Sequence, residues 1–120
     1  MVYLLVFISV AAMTAAQLLL KKGMLIVGGF PDKLSEIGSF FLRAYTNVYV
    51  ISAILLTIIT ALAWILAVSK TELSQIYPFM ALSYVLVALF SLLIFKEDVT
   101  ALRWVGIMVI CFGVFLVSKS

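Results

Sequence analysis

Four long stretches without a charged residue dominate the sequence and limit what it can fold into. They cover residues 2–20, 45–68, 73–95 and 104–117. A helix needs about 20 apolar residues to cross the hydrocarbon core of a bilayer. Inside a bilayer the backbone must pair within its own segment or in a closed barrel, and these stretches lack the polar–apolar alternation of barrel strands. The sequence therefore predicts an all-α integral membrane protein with four transmembrane helices and short loops.

The composition excludes a soluble fold of this size. Hydrophobic residues make up 67% of the chain and charged residues 11%, whereas soluble domains have roughly 45–50% and about 25%. The chain has no His and one cysteine, Cys111, and its Cys, Asp and Glu residues lack the spacing of metal ligands. We expect a single transmembrane domain over residues 1–120, without a cofactor or metal. The net charge of +3 is too small to predict a nucleic-acid partner.

Loop one, between the first and second stretches, is the longest of the three loops. Within it Leu34, Ile37, Phe41 and Tyr45 recur at helical spacing and fall on one side of a helix. This pattern predicts a short interfacial helix that runs into the second span. An irregular loop is the alternative.

Basic residues are distributed unequally between the two ends of the predicted spans. Loops one and three, which lie on the same side, hold six Lys and Arg residues, and the other side holds Lys70 and Lys119. The positive-inside rule then predicts that both loops are cytoplasmic and both termini are outside. The pair Lys21 and Lys22 would end the first helix at the inner interface. The six residues are Lys21, Lys22, Lys33, Arg43, Lys96 and Arg103.

A few polar side chains interrupt the apolar spans. Thr14 and Gln17 are three residues apart in the first span and share a helix face, and Tyr77 and Tyr84 lie in the third span. Pro78 removes a backbone hydrogen bond and should loosen the third span near its outer end. Polar groups in a bilayer mark a substrate pathway or a helix contact, so these five residues are pathway candidates, with hydrogen bonding between helices as the alternative.

The fourth span carries two glycines, Gly106 and Gly113, seven residues apart. Seven residues are two helical turns, so both glycines fall on one face. Small residues let helix backbones approach closely in lipid. The glycine face is therefore predicted to be a dimer interface, and packing against another helix of the same chain is the alternative.

These features together resemble the drug/metabolite transporter superfamily, over essentially the whole chain. The resemblance rests on four short spans, the K-K-G after the first span, the KE turn before the fourth, and W-x-G-x6-G from Trp104 to Gly113. It fits the four-helix members, which are the small multidrug resistance-like proteins and the short EamA-type proteins. The multidrug exporters carry a glutamate in the first span where this chain has Met13 or Thr14. Since no Asp or Glu lies in any span, proton-coupled cation export is disfavoured.

Among the four-helix members, the sequence is most similar to the aminoarabinose-phosphoundecaprenol flippase subunits. The similarity covers AQLLLKK at residues 16–22, IYPFMALSYV at residues 76–85, Glu97, and RWVG at residues 103–106. It implies transport of a lipid-linked sugar phosphate across the bacterial inner membrane by a pair of four-helix subunits, as a homodimer or a heterodimer. The sugar itself is not specified by the residues.

The resemblance suggests roles for the polar residues without any covalent chemistry, so the chain is not expected to be an enzyme. Basic residues at the cytoplasmic end would bind the phosphate, the polar groove would pass the sugar, and the prenyl tail would stay in lipid. An exporter of small metabolites or cations and a non-transporting assembly subunit are the alternatives. The phosphate-binding candidates are Lys21, Lys22, Arg43, Lys96 and Arg103, and the pathway candidates are Thr14, Gln17, Tyr77, Pro78 and Tyr84.

Overall fold

The protein is a bundle of helices, as the sequence predicts. The computed structural model describes residues 2–120 and contains no strand among them. Four of its helical segments are long and apolar enough to cross a membrane. These are α1 (Val2–Val27), α3 (Val48–Lys70), the segment Leu73–Ile94, and α6 (Ala101–Lys119). The segment Leu73–Ile94 comprises α4 (Leu73–Ile76), a 3-10 helix (Tyr77–Met80) and α5 (Ala81–Ile94), and α2 (Ile37–Thr46) lies in loop one.

The first helix does not end at the lysine pair, and that prediction is wrong. Helix α1 continues through Lys21 and Lys22 to Val27. Lysine is a good helix former, and its long side chain can reach water while its backbone stays helical. The helix ends instead at Gly28, which has a φ of 102° and donates its N–H to the carbonyl of Met24 at 2.9 Å. A positive φ is readily adopted by glycine, so Gly28 ends α1.

Loop one contains the predicted helix, but this helix does not run into the second span. A 3-10 turn at Leu34–Glu36 leads into α2, and Asn47 then breaks the helix with an extended ψ of 132°. The Asn47 Oδ1 accepts from the backbone N–H of Tyr49 at 2.9 Å and of Val50 at 3.3 Å, so Asn47 caps the N-terminus of α3. The second span therefore begins at Val48, and α2 forms a separate element beside it.

The side of α2 that packs against the protein is not the predicted stripe. Phe40 and Ala44 are buried, whereas Leu34, Phe41 and Tyr45 of the stripe are exposed. The exposed parts of these three side chains are available to contact lipid, although Phe41 and Tyr45 also line a cavity together with Val50 and Ile54 of α3.

Helices α1 and α3 form the main contact of the bundle, and small side chains allow it. Ala16 and Gly23 of α1 and Ala53 and Ala63 of α3 are buried. Without a hydrophobic drive between helices in lipid, close backbone approach supplies the packing energy. The approach is close at Gly23, where an added Cβ would lie 2.7 Å from Cγ2 of Val50 and 2.9 Å from Oδ1 of Asn47.

The third span changes to 3-10 geometry at Tyr77–Met80, where Pro78 is predicted to loosen it. Ile76 and Phe79, on either side of the proline, are buried in the main apolar cluster with Val6, Val10, Ala67 and Val114. The Gln75 Nε2 also donates to the hydroxyl oxygen of Tyr3 at 3.2 Å. The loosened segment is therefore held against the N-terminal end of α1.

Candidate functional site

One ion pair joins the C-terminal part of α1 to loop three. The Lys21 Nζ lies 3.7 Å from Oε1 of Glu97, with each side chain about half exposed (50% and 45%). It is the only salt bridge within residues 2–120. The pair shows that Lys21 and loop three lie at the same end of the bundle, as four alternating spans require.

The turn after α5 sets the position of Glu97. Lys96 has a φ of 55°, in the left-handed region that few residues other than glycine adopt. The turn is closed by the N–H of Glu97, which donates to the carbonyl of Ser91 at 3.2 Å. Lys96 therefore shapes the turn through its backbone, and its side chain is exposed.

A cavity of about 180 Å³, here called the loop-three cavity, lies beside this turn. Arg103 enters from the first turn of α6, which is capped by the Thr100 hydroxyl accepting from the Arg103 N–H at 3.2 Å. The guanidinium Nη1 of Arg103 also donates to the carbonyl of Asp98 at 3.4 Å. The cavity thus combines a guanidinium, a carboxylate and hydroxyl groups. Its lining residues are Tyr84, Val87, Ala88, Ser91, Glu97, Val99, Arg103 and Ile107.

A second cavity, the loop-one cavity, is bordered by Lys21. It has a volume of about 460 Å³ and is lined by Lys21, Gly28, Gly29, Phe30 and Phe40, with Met24 and Leu25. Lys21 borders this cavity while its partner Glu97 borders the loop-three cavity. The ion pair therefore joins a lining residue of one cavity to a lining residue of the other.

The other predicted phosphate-binding residues lie elsewhere at this end. The ammonium group of Lys22 lies 4.7 Å from the ring centroid of Tyr49, which is within the range of a cation–π contact. The Arg43 Nη1 donates to the carbonyl of Val27 at 3.4 Å, and Arg43 lines a separate cavity of about 320 Å³. Of the five basic candidates, Arg103 lines the loop-three cavity, and Lys21 pairs with Glu97 of the same cavity lining.

The two pathway candidates of the first span do not share one surface. Thr14 is buried and donates its hydroxyl to the carbonyl of Val10 at 2.8 Å. Gln17 is exposed, and its amide nitrogen lies 3.5 Å from the sulfur of Met13. Because the Thr14 hydroxyl is buried and bonded within its own helix, Gln17 is the more accessible of the two to a ligand or a partner.

The two tyrosine candidates line different cavities. Tyr84 borders the loop-three cavity, whereas Tyr77 borders an apolar groove of about 240 Å³. The Tyr77 ring packs edge-on against Trp64, with ring centroids 6.0 Å apart. Pro78 is half-buried beside that groove and shapes it through the 3-10 segment. The groove is lined by Met13, Thr57, Thr60, Ala61, Trp64, Tyr77 and Met80.

The glycine face of α6 makes no close contact with the rest of the chain. A Cβ added at Gly106 or at Gly113 would meet no atom of the described residues within 4 Å. Packing within one chain, the alternative for these glycines, is therefore not what the structure shows. The face is left free for another molecule, and its role as a dimer interface stays a prediction.

Three residues of structural importance are not singled out by the sequence pattern. Glu97 stands in the sequence only as part of a motif, although it joins Lys21 to the loop-three cavity. Gly23 stands in the sequence only as the end of the K-K-G motif, although it is a close contact between α1 and α3. Asn47 does carry a usable signal, because Asn directly before an apolar run is typical of a helix N-cap.

Four long apolar helices define a small multi-pass membrane protein, and charged residues line the loop-three and loop-one cavities at one end of it. The EamA-like transporter family matches residues 1–119, and the chain belongs to this family.

Curated relatives are about one third identical to the chain over the residues that align. A probable 4-amino-4-deoxy-L-arabinose-phosphoundecaprenol flippase subunit ArnF from Photorhabdus laumondii is 32% identical over 93% of this chain and 92% of its own length. The protein of the same name from Sodalis glossinidius is 34% identical over 91% of this chain and 84% of its own length. The corresponding subunit ArnE from Hamiltonella defensa is 36% identical over 49% of this chain and 53% of its own length. No solved structure matches the chain.

Proposed function

We propose that the chain is a flippase subunit that moves a polyprenyl-phosphate-linked saccharide across the bacterial inner membrane. The observation that carries the proposal is the loop-three cavity, which Arg103 and Tyr84 both line and whose Glu97 pairs with Lys21. A guanidinium and an ammonium suit a phosphate, the first as a bidentate partner and the second as a point charge. The names of the relatives support a lipid-linked sugar phosphate as the substrate class.

Transport proceeds by binding and release, without covalent chemistry or a cofactor. The phosphate first meets the basic end of the bundle, where Lys21 and Arg103 are its direct partners. Lys22, Arg43 and Lys96 add positive potential around them. Positive-inside orientation puts this end in the cytoplasm and both termini outside. The prenyl tail remains in the bilayer while the sugar crosses.

A second four-helix subunit completes the pathway. In one chain Tyr77 and Tyr84 line different cavities, and Gln17 lies on an exposed surface beside Met13, which lines the Tyr77 groove. A partner packed on the exposed face of Gly106 and Gly113 would enclose surfaces that one chain leaves open. Relatives named ArnF and ArnE both match the chain, which favours a heterodimer with a related subunit over a homodimer.

The test is transport in liposomes that contain the chain, with and without a related four-helix subunit, using a radiolabelled polyprenyl-phosphate sugar. Arg103→Gln should lower the transport rate about tenfold, the lower range for loss of a charge-assisted hydrogen bond. The matched control is Lys70→Gln. Lys70 lies in the last turn of α3, at the end of the bundle opposite to Arg103. Gln17→Leu should lower transport while the amount of assembled protein stays constant.

Two results would contradict the proposal. Equal rates for Arg103→Gln and Lys70→Gln would remove the loop-three cavity from the substrate path. Transport of quaternary ammonium ions in place of the lipid-linked sugar would identify a small-cation exporter.

A further inference from the structure

The main apolar cluster lies in one half of the bundle. Its buried residues come from the parts of the four spans that are nearest to the chain termini and to loop two, which joins α3 to α4. The loop-three and loop-one cavities lie at the opposite end. One end of the bundle, here called the loop-two end, is therefore packed, while the other end has cavities. The buried residues of the cluster are Val6, Val10, Ala67, Ile76, Phe79 and Val114.

The cluster continues the face of α6 that lines the loop-three cavity. Ile107 lines the cavity and Val114 belongs to the cluster. The two residues are seven positions apart, which is two helical turns, so they fall on the same face of α6. Ile110, between them, packs against the cluster. A ligand group that moves along this face from the cavity toward the loop-two end therefore meets the cluster.

A hydrogen bond between distant parts of the chain fastens the edge of the cluster. The Gln75 Nε2 donates to the hydroxyl oxygen of Tyr3 at 3.2 Å, and the Thr71 hydroxyl donates to Gln75 Oε1 at 3.5 Å. The ring of Tyr3 packs edge-on against Phe79 of the cluster, with ring centroids 5.8 Å apart. These contacts join the first turn of α1 to loop two and to the start of the third span.

The fastening is weak, and the backbone beside it can bend. Tyr3 is 44% exposed, and one hydrogen bond between membrane helices shifts an equilibrium by only about threefold. The 3-10 segment Tyr77–Met80 directly follows α4, which carries Gln75, and 3-10 geometry within a helix often marks a hinge. Lipid is as apolar as the side chains of the cluster, so parting them costs less than it would in water.

We propose that the main apolar cluster is the gate of the pathway at the loop-two end and that the bond between Gln75 and Tyr3 is its latch. This structure is the closed state of the gate, with Lys21 and Arg103 exposed at the other end. A sugar that passes from the loop-three cavity to the loop-two end parts the cluster, and Gln75 then releases Tyr3. The inference rests on the proposed function and adds the residues that control the exit side.

The first test measures opening of the cluster without any substrate. Val6 is 1% exposed and cysteine is also a small apolar residue, so Val6→Cys in a chain without Cys111 reports opening through its labelling by a water-soluble thiol reagent in nanodiscs. Tyr3→Phe removes the hydroxyl and keeps the ring on Phe79. It should raise the labelling rate about threefold, the shift expected for one hydrogen bond between membrane helices. Tyr45→Phe, at an exposed position of α2, is the matched control and should leave the rate unchanged.

Substitutions at Gln75 separate a latch from a general loss of packing. Gln75→Glu keeps an oxygen that can accept from the hydroxyls of Tyr3 and Thr71, so labelling should stay near the wild-type rate. Gln75→Leu keeps no polar group and should label as fast as Tyr3→Phe, and the double variant should label no faster, because both changes remove the same bond. A wild-type rate for Tyr3→Phe and Gln75→Leu would overturn the latch. Equal acceleration by Gln75→Glu and Gln75→Leu would overturn it too, since packing alone would then explain the effect.

The second test asks whether the gate lies on the transport path. In a chain without Cys111, Tyr3→Cys and Gln75→Cys joined by a short bifunctional maleimide should stop transport of the lipid-linked sugar in liposomes. Either cysteine alone, treated with the same reagent, should not stop it. Unchanged transport by the crosslinked chain would overturn the inference while the proposed function stands. Absence of transport by the untreated wild type would overturn the proposed function and the inference with it.

Discussion

Replacing Gly23 by alanine should push α1 and α3 apart where the two helices are in close contact. The added Cβ would lie 2.7 Å from Cγ2 of Val50, 2.9 Å from Oδ1 of Asn47 and 3.1 Å from the backbone nitrogen of Val50. Favourable contacts between carbon atoms begin at about 3.5 Å. Val50 is buried and β-branched, so its side chain has no free rotamer to move into. The helices must therefore separate by roughly 1 Å to reach that distance.

The cost follows from two opposing effects. Overpacking a tight contact costs about 1–3 kcal/mol, and alanine is a better helix former than glycine by about 1 kcal/mol. A net loss of about 0–2 kcal/mol in the free energy of unfolding, with a central value of about 1 kcal/mol, is expected from that difference. The same change at Gly38 in α2, where an added Cβ meets nothing within 4 Å, should leave stability unchanged or slightly higher.

Thermal unfolding followed by circular dichroism in detergent measures the effect. The midpoint of Gly23→Ala should fall by several degrees relative to wild type, and that of Gly38→Ala should not. Combining Gly23→Ala with Val50→Ala removes the nearest clashing atom, so the double variant should lose less stability than the two single changes added together. A midpoint for Gly23→Ala at or above that of Gly38→Ala would show that the two helices do not meet at this glycine.

Three further changes test other parts of the structure. Asn47→Ala should lower the free energy of unfolding by about 1 kcal/mol by removing the cap of α3, and Asn47→Asp should retain most of it; equal loss in both variants would argue against capping. Gly106→Leu with Gly113→Leu should abolish crosslinking between subunits and leave the chain folded, since the face is open within one chain; unchanged crosslinking would place the interface elsewhere. In a variant without Cys111, an impermeant thiol reagent added outside should label a cysteine at position 120 and not one at position 33, and the reverse pattern would refute the predicted orientation.

The helices could be predicted from the sequence because bilayer thickness imposes a length and an absence of charge that few other structures share. The loosening at Pro78 was also predictable, since a missing N–H is a local property. The end of α1 could not be predicted from the lysine pair, because a charge marks where lipid stops and not where a backbone stops being helical. The signal for the true end was Gly28, six residues beyond Lys22.

The candidate site was predicted less well than the fold, for reasons that concern distance along the chain. Arg43 reaches the carbonyl of Val27, and Lys21 reaches Glu97. Neither contact follows from helical periodicity, because each joins different elements. The sequence groups basic residues by side of the membrane, and the structure then assigns each a different partner.

The continuation of α1 beyond its lysines has a consequence for the membrane that surrounds the protein. At 1.5 Å per residue, the 26 residues of α1 extend about 39 Å, against about 30 Å of hydrocarbon. The distance from Val2 to Lys21 is about 30 Å on the same scale, so the ion pair with Glu97 lies near the boundary between hydrocarbon and headgroups. A bilayer with longer acyl chains would draw this pair into surroundings of lower dielectric constant, where the attraction between its charges is stronger. Lipid chain length therefore becomes a means of tightening or loosening the contact between the two cavities.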